Sequence, residues 1–178
     1  MAICNPTGSL SVTIREEIRL PNGNMEQSIN TEVITDVNQI MKRTDTIAPT
    51  FSGSGIEILR FVDSEEQQTA GSFVRDTVKY MRFTNLCSTN FLSLYLIQDS
   101  PEAQSPNTGN VGSGDESLFR LDAGKSMVFS NAQFQGTDYY DYVVEGYVDI
   151  QYFSSFASLS SIKAKADTAN VQIEYFVA

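Results

Sequence analysis

Across residues 10–20 every even position except Glu16 is Leu, Val or Ile (Leu10, Val12, Ile14, Ile18, Leu20), while the odd positions read Ser11, Thr13, Arg15, Glu17 and Arg19. Side chains of an extended chain alternate between two faces, so this spacing predicts a long strand with its even face buried and its odd face wet. Pro21, Asn22, Gly23 and Asn24 then favour a reversal, and a weaker alternation resumes from Met25 to Ile29. A β-hairpin is expected. Glu16 breaks the apolar face, and an ionised carboxylate between Ile14 and Ile18 would need a cation or donors. The strand should therefore bend or leave the core at that point.

The same pattern recurs along the chain. Ile56 to Val62 is apolar enough for a central strand, and residues 72–84, 91–98, 118–121, 126–129, 143–153 and 171–177 read as further strands. Asp122, Ala123, Gly124 and Lys125 form a hairpin-like turn between two of them. Ile34, Val37, Ile40 and Met41 fall at helical spacing behind Thr35 and Asp36, which predicts one or two helical turns. Residues 154–161 are Ser-rich, with Phe156 and Leu159, and read as an irregular edge. The expected fold is all-β: an antiparallel two-sheet sandwich, jelly-roll-like, with about eight strands and at most one short helix. The whole chain, 1–178, is read as a single domain with a Gly/Pro/Ser-rich surface excursion at 99–117, where Pro101, Pro106, Gly109, Gly112 and Gly114 preclude a core element.

Composition limits the function classes. With 22 acidic and 12 basic side chains the formal net charge is −10, a field that disfavours phosphate backbones, so no nucleic-acid partner is expected. No stretch approaches the length of a membrane span, no leader is visible behind Met1, and the one near match to a glycosylation site, Asn5-Pro6-Thr7, carries the forbidden proline. Cys4 and Cys87 belong to no close pair and are expected to be free, buried thiols. These features together predict folding in a reducing cytoplasm.

Candidate chemistry fails one test after another. The chain contains no histidine, which removes Ser-His-Asp and Cys-His arrangements and the commonest zinc ligand. Gly124-Lys125-Ser126 resembles the end of a phosphate-binding loop, but the required glycine five residues earlier is Phe119, and a tight turn with Gly124 at positive φ is expected instead. Glu16 and Glu17 must point to opposite faces of their strand. Glu65 with Glu66, Asp115 with Glu116 and Asp138 with Asp141 read as solvated turns, and Asp138 and Asp141 lack a calcium-loop spacing. Phe134, Tyr139, Tyr140, Tyr142, Tyr147, Tyr152, Phe153 and Phe156 crowd one region that could serve as core, protein interface or glycan face. The expectation is a protein that is not an enzyme, with no catalytic, cofactor or metal residues.

Three segments carry a resemblance: Tyr80-Met81-Arg82-Phe83-Thr84-Asn85, then Leu92-Ser93-Leu94-Tyr95-Leu96-Ile97, then residues 119–129 around Ala123-Gly124-Lys125-Ser126. A strand ending in Thr-Asn, an apolar strand and a strand-turn-strand around Ala-Gly-x-Ser resemble the small β-sandwich virion proteins of tailed bacteriophages, a resemblance that covers about a third of the chain. The resemblance implies a structural virion protein, first a decoration or cement protein on the outer surface of a capsid. Its partners would be the major capsid protein or other virion proteins, the chain itself would be a homo-oligomer, and assembly would take place in the host cytoplasm. A head-to-tail connector or tail component is the alternative within that class. A carbohydrate-binding or host-recognition fibre domain is the alternative outside it.

Overall fold

A computed structural model describes residues 8–23, 25–49, 55–98, 116–130, 156 and 159–178. Eleven strands lie among the described residues: β1 Gly8–Arg19, β2 Met25–Val37, β3 Met41–Ile47, β4 Ile56–Val62, β5 Ser72–Val74, β6 Tyr80–Asn85, β7 Leu92–Gln98, β8 Glu116–Leu121, β9 Ser126–Ser130, β10 Leu159–Ala166 and β11 Val171–Val177. Strands β1 and β2 form a hairpin sheet of their own. The others build a five-stranded sheet in the order β5-β4-β10-β7-β8 and a four-stranded sheet in the order β3-β11-β6-β9.

The pairings are nested. β7 pairs with its successor β8, β6 with β9, β4 with β10, and β3 with β11, every pair antiparallel. A chain folded back on itself in this way and then wrapped places alternate pairs in opposite sheets, which is the arrangement observed. β5 is an addition at one edge, joined to β4 in parallel through three residue pairs.

Both sheets contribute to one apolar core, so the body is a sandwich. In β7, Leu92, Leu94 and Leu96 are fully buried while Ser93, Tyr95 and Ile97 between them are half-buried; in β11, Val171, Ile173, Tyr175 and Val177 turn inward in the same rhythm. The aromatic centre is Phe83, with Phe129 edge-on at 6.0 Å and Tyr175 stacked at 6.3 Å. Each such ring stabilises the body by roughly 1.5–3 kcal/mol through burial alone. The Tyr175 hydroxyl reaches the rim of the core and donates to Asp45 Oδ2 at 2.5 Å, and burial followed by that carboxylate pushes its pKa up.

Two polar features fix the connections. Asn85 is fully buried at the end of β6, where its Nδ2 donates to the carbonyls of Asn90 (2.9 Å) and Leu121 (3.1 Å) and its Oδ1 accepts from the Cys87 backbone N–H at 2.9 Å. One amide thus satisfies three backbone groups and ties the β6–β7 crossover to β8. Gly124, at φ +67°, makes the β8–β9 turn that the sequence predicted, closed by the Lys125 N–H donating to the Asp122 carbonyl at 3.1 Å.

Several expectations are corrected. Residues 34–37 continue β2, because Ile34 and Val37 find ladder partners in Leu10 and Gly8, and the predicted helical turns are replaced by strand. Segment 72–84 is interrupted: β5 and β6 flank a single 3-10 turn at Arg75–Thr77. Leu159, Ser160 and Ser161, read as an irregular edge, begin β10, which lies centrally between β4 and β7. The excursion at 99–117 ends early, since Glu116 and Ser117 already belong to β8; residues 99–115 lie outside the described residues, as does the predicted strand at 143–153. The largest correction concerns β1, whose even face is half-buried at Leu10 and Val12 and exposed beyond them.

Candidate functional site

The hairpin leaves the body as an arm. Residues opposite each other on an antiparallel ladder share a face, so the register assigns every side chain. Leu10, Val12, Ile14, Glu16 and Ile18 share one face with Ile34, Glu32, Asn30, Ser28 and Glu26; Ser11, Thr13, Arg15, Glu17 and Arg19 share the other with Val33, Thr31, Ile29, Gln27 and Met25. The apolar residues of β1 and those of the outer half of β2 therefore lie on opposite faces.

Among the described residues, only the base is covered. Leu10, Val12, Ile34 and the buried Val37 pack on Tyr80, Val128, Phe176 and Ala178, the outward side of the four-stranded sheet, with Tyr80 edge-on to Phe176 at 6.0 Å. Beyond Val12 the strand runs past this patch, and Ile14, Ile18 and Leu20 are 46, 56 and 45% exposed on one face. On the other, Met25, Ile29 and Val33 are 59, 62 and 61% exposed. The projecting part, Ile14 to the turn, is on the order of 20 Å long at the rise of a strand. Glu16 is exposed there, where the strand has left the body, and the carboxylate meets no apolar burial.

The two faces differ in charge. The β1-apolar face carries Glu16, Glu26 and Glu32 and no cation. The opposite face carries Arg15 and Arg19 around Glu17, with Arg19 Nε 2.6 Å and Arg15 Nη2 3.6 Å from its carboxylate oxygens. Cross-strand hydroxyls of Thr13 and Thr31 meet at 3.0 Å on that face. The tip turns through Pro21, Asn22 and Gly23, where the Gly23 N–H donates to the Leu20 carbonyl at 3.0 Å and Gly23 has φ +83°.

Elsewhere the described residues offer little chemistry. An open groove of about 410 Å³ beside β4 and β10 is lined by Glu57, Arg60, Asp63, Arg75, Ser160 and Ser161. Its charges offset one another, with Arg75 Nε 3.0 Å from Asp63, and the Ser160 hydroxyl donates to the Ile97 carbonyl at 3.2 Å. Glu174 bridges Lys42 (3.0 Å) and Arg82 (2.8 Å) on the outer sheet face, and the hydrogen bond from Lys42, with support from Arg82, holds its carboxyl below the usual range. Among the described residues no three Cys, Asp or Glu side chains cluster as metal ligands. Glu65 and Glu66 stand exposed on a 3-10 turn.

Cys87 departs from the expected buried thiol. It is half-buried, and the backbone N–H groups of Thr89 and then Asn90 stabilise its thiolate and lower its pKa to about 7. Cys4, Asp115, Asp138, Asp141 and the aromatic cluster from Phe134 to Phe153 lie outside the described residues; Phe156, the last of that group, is buried in the core. Comparison with known proteins gives no match: no family model, no curated protein and no solved structure corresponds to the chain.

Proposed function

We propose that this chain is a non-catalytic structural subunit of a virion, a decoration or cement protein held on the outer surface of a phage capsid. The observation that carries the reading is the arm, a strand pair that exposes aliphatic side chains on both faces while both sheets of the body pack on a shared apolar core. Isolated two-stranded hairpins are at best marginally stable in water, so an arm of this kind gains order from a surface that covers it. The nested strand pairing supports the same reading by fold analogy, since jelly-roll sandwiches serve in capsid proteins as well as in lectins. The net charge of −10 suits an outer surface better than a lumen facing nucleic acid.

A head-to-tail connector is the second reading, favoured by the two-faced form of the arm, which suits ring contacts. Mass spectrometry of particles banded from the cells that produce the chain tests both. A decoration protein is expected in many copies per particle and labelled by a membrane-impermeant amine reagent on intact particles, whereas a connector is expected in the copy number of a single ring. Absence from particles overturns the proposal.

A further inference from the structure

We propose that the arm is a head-to-tail self-association element, in which the Glu-bearing face of one copy stacks on the Arg-bearing face of the next. The proposal rests on the reading of the arm as an assembly element and adds the identity and orientation of its partner, a second copy of this chain. Its basis is the complementarity of the two faces. One offers Ile14, Ile18 and Leu20 with Glu16 and Glu26; the other offers Met25, Ile29 and Val33 with Arg15 and Arg19 around Glu17, a net positive charge.

Each face taken alone is a poor match for itself. A two-fold contact between identical faces would bring together surfaces of like net charge, Glu16 and Glu26 against their counterparts, or Arg15 and Arg19, offset in part by Glu17, against theirs, and like net charge brought together on desolvation opposes association. Stacking unlike faces instead puts aliphatic on aliphatic and carboxylate near guanidinium. Arg15 and Arg19, with side chains 62 and 79% exposed, retain freedom to reach across even while they contact Glu17. Sheets stack at about 10 Å, a spacing that Ile and Leu side chains fill. Such a contact is heterologous: each copy uses one face as donor and the other as acceptor, so the assembly closes into a ring or extends as a filament. One arm face is only on the order of 250 Å² from its strand dimensions, well under a standard interface, so a single contact is weak and closure supplies the stability.

Charge reversal separates this arrangement from every other. Sedimentation velocity of the purified full chain at low salt is expected to show concentration-dependent association. The variant Glu16→Arg/Glu26→Arg and the variant Arg15→Glu/Arg19→Glu are each expected to associate at least about tenfold more weakly, since both of their faces then carry the same sign. Because all four side chains are exposed, circular dichroism should show both variants folded. An equimolar mixture of the two should regain association, because each reversed face meets an opposite one on the other variant. A wild-type chain that stays monomeric up to millimolar concentration, or a mixture no more associated than its components, overturns the proposal. A monomeric chain that nonetheless binds capsids through the arm would overturn the self-association and leave the virion reading standing.

Discussion

The body and the arm use the same alternation of apolar and polar residues and reach opposite results. In β7, Leu92, Leu94 and Leu96 are withdrawn from water by the opposing sheet, while Ile14 and Ile18 in β1, and Leu20 just beyond it, remain about half exposed. The difference lies in what stands opposite. β7 is flanked by β8 and β10 and faces the four-stranded sheet across the core, whereas the outer half of β1 has β2 beside it and, among the described residues, no layer above or below. Period-2 patterning thus reports an extended chain with an apolar side. It does not report whether that side is covered within the molecule.

The sharpest way to break this contrast is to remove apolar volume in each region. Phe83→Ala, in the centre of the body, is expected to cost about 3–5 kcal/mol in urea unfolding, by lost burial plus a cavity between Phe129 and Tyr175. Ile18→Ala is expected to stay within about 0.5 kcal/mol of wild type. Comparable losses at the two sites would mean that the arm is folded into the body in solution.

Two glycines sharpen the comparison at the backbone. Both Gly55 and Gly23 hold positive φ, at +86° and +83°. A Cβ on Gly55 would run into the Ala164 carbonyl, with the carbonyl carbon 2.8 Å away, whereas a Cβ on Gly23 meets nothing within 4 Å. Gly55→Ala should therefore cost roughly 2–5 kcal/mol, because the left-handed strain is joined by a clash with a backbone that cannot yield. Gly23→Ala should cost about 1 kcal/mol, and only within the arm. Thermal unfolding followed by near-ultraviolet circular dichroism reads the body, so Gly23→Ala should leave that transition almost unmoved.

The smallest expected effect divides the arm itself. Val12 is half-buried at the base against the Tyr80 and Phe176 patch, while Ile18 stands free near the tip. Val12→Asp should lower stability by about 1–2 kcal/mol, through a carboxylate brought against apolar rings, and Ile18→Asp by less than about 0.5 kcal/mol. Equal effects would move the boundary between docked and free strand away from Ile14.

Much of the body was legible where one rule dominates locally. The alternation of β11 predicted which of its side chains turn inward, β7 was read as a strand, and Gly124 announced its turn by composition and spacing. β10 was missed because its inward residues after Ile162 are Ala164 and Ala166, separated by Lys163 and Lys165, so the apolar signal is faint. Small side chains suit that position, since β10 is held on both edges and passes close to Gly55. The site was less legible still. Sequence spacing placed Arg15 and Glu16 on opposite faces, but only the register with β2 showed Glu26 and Glu32 joining Glu16, and Ile29 and Val33 joining Arg15.

By itself, the sequence determined the all-β character, the hairpin and its turn, and the lack of histidine-based chemistry, because each depends on residues within a few positions of one another or on composition alone. The tertiary structure decided which apolar faces are covered, which strand completes the five-stranded sheet, and how the charges of the arm sort into an acidic and a basic side. Those outcomes depend on pairings between residues far apart in the chain, whose register is set by the fit of the whole fold.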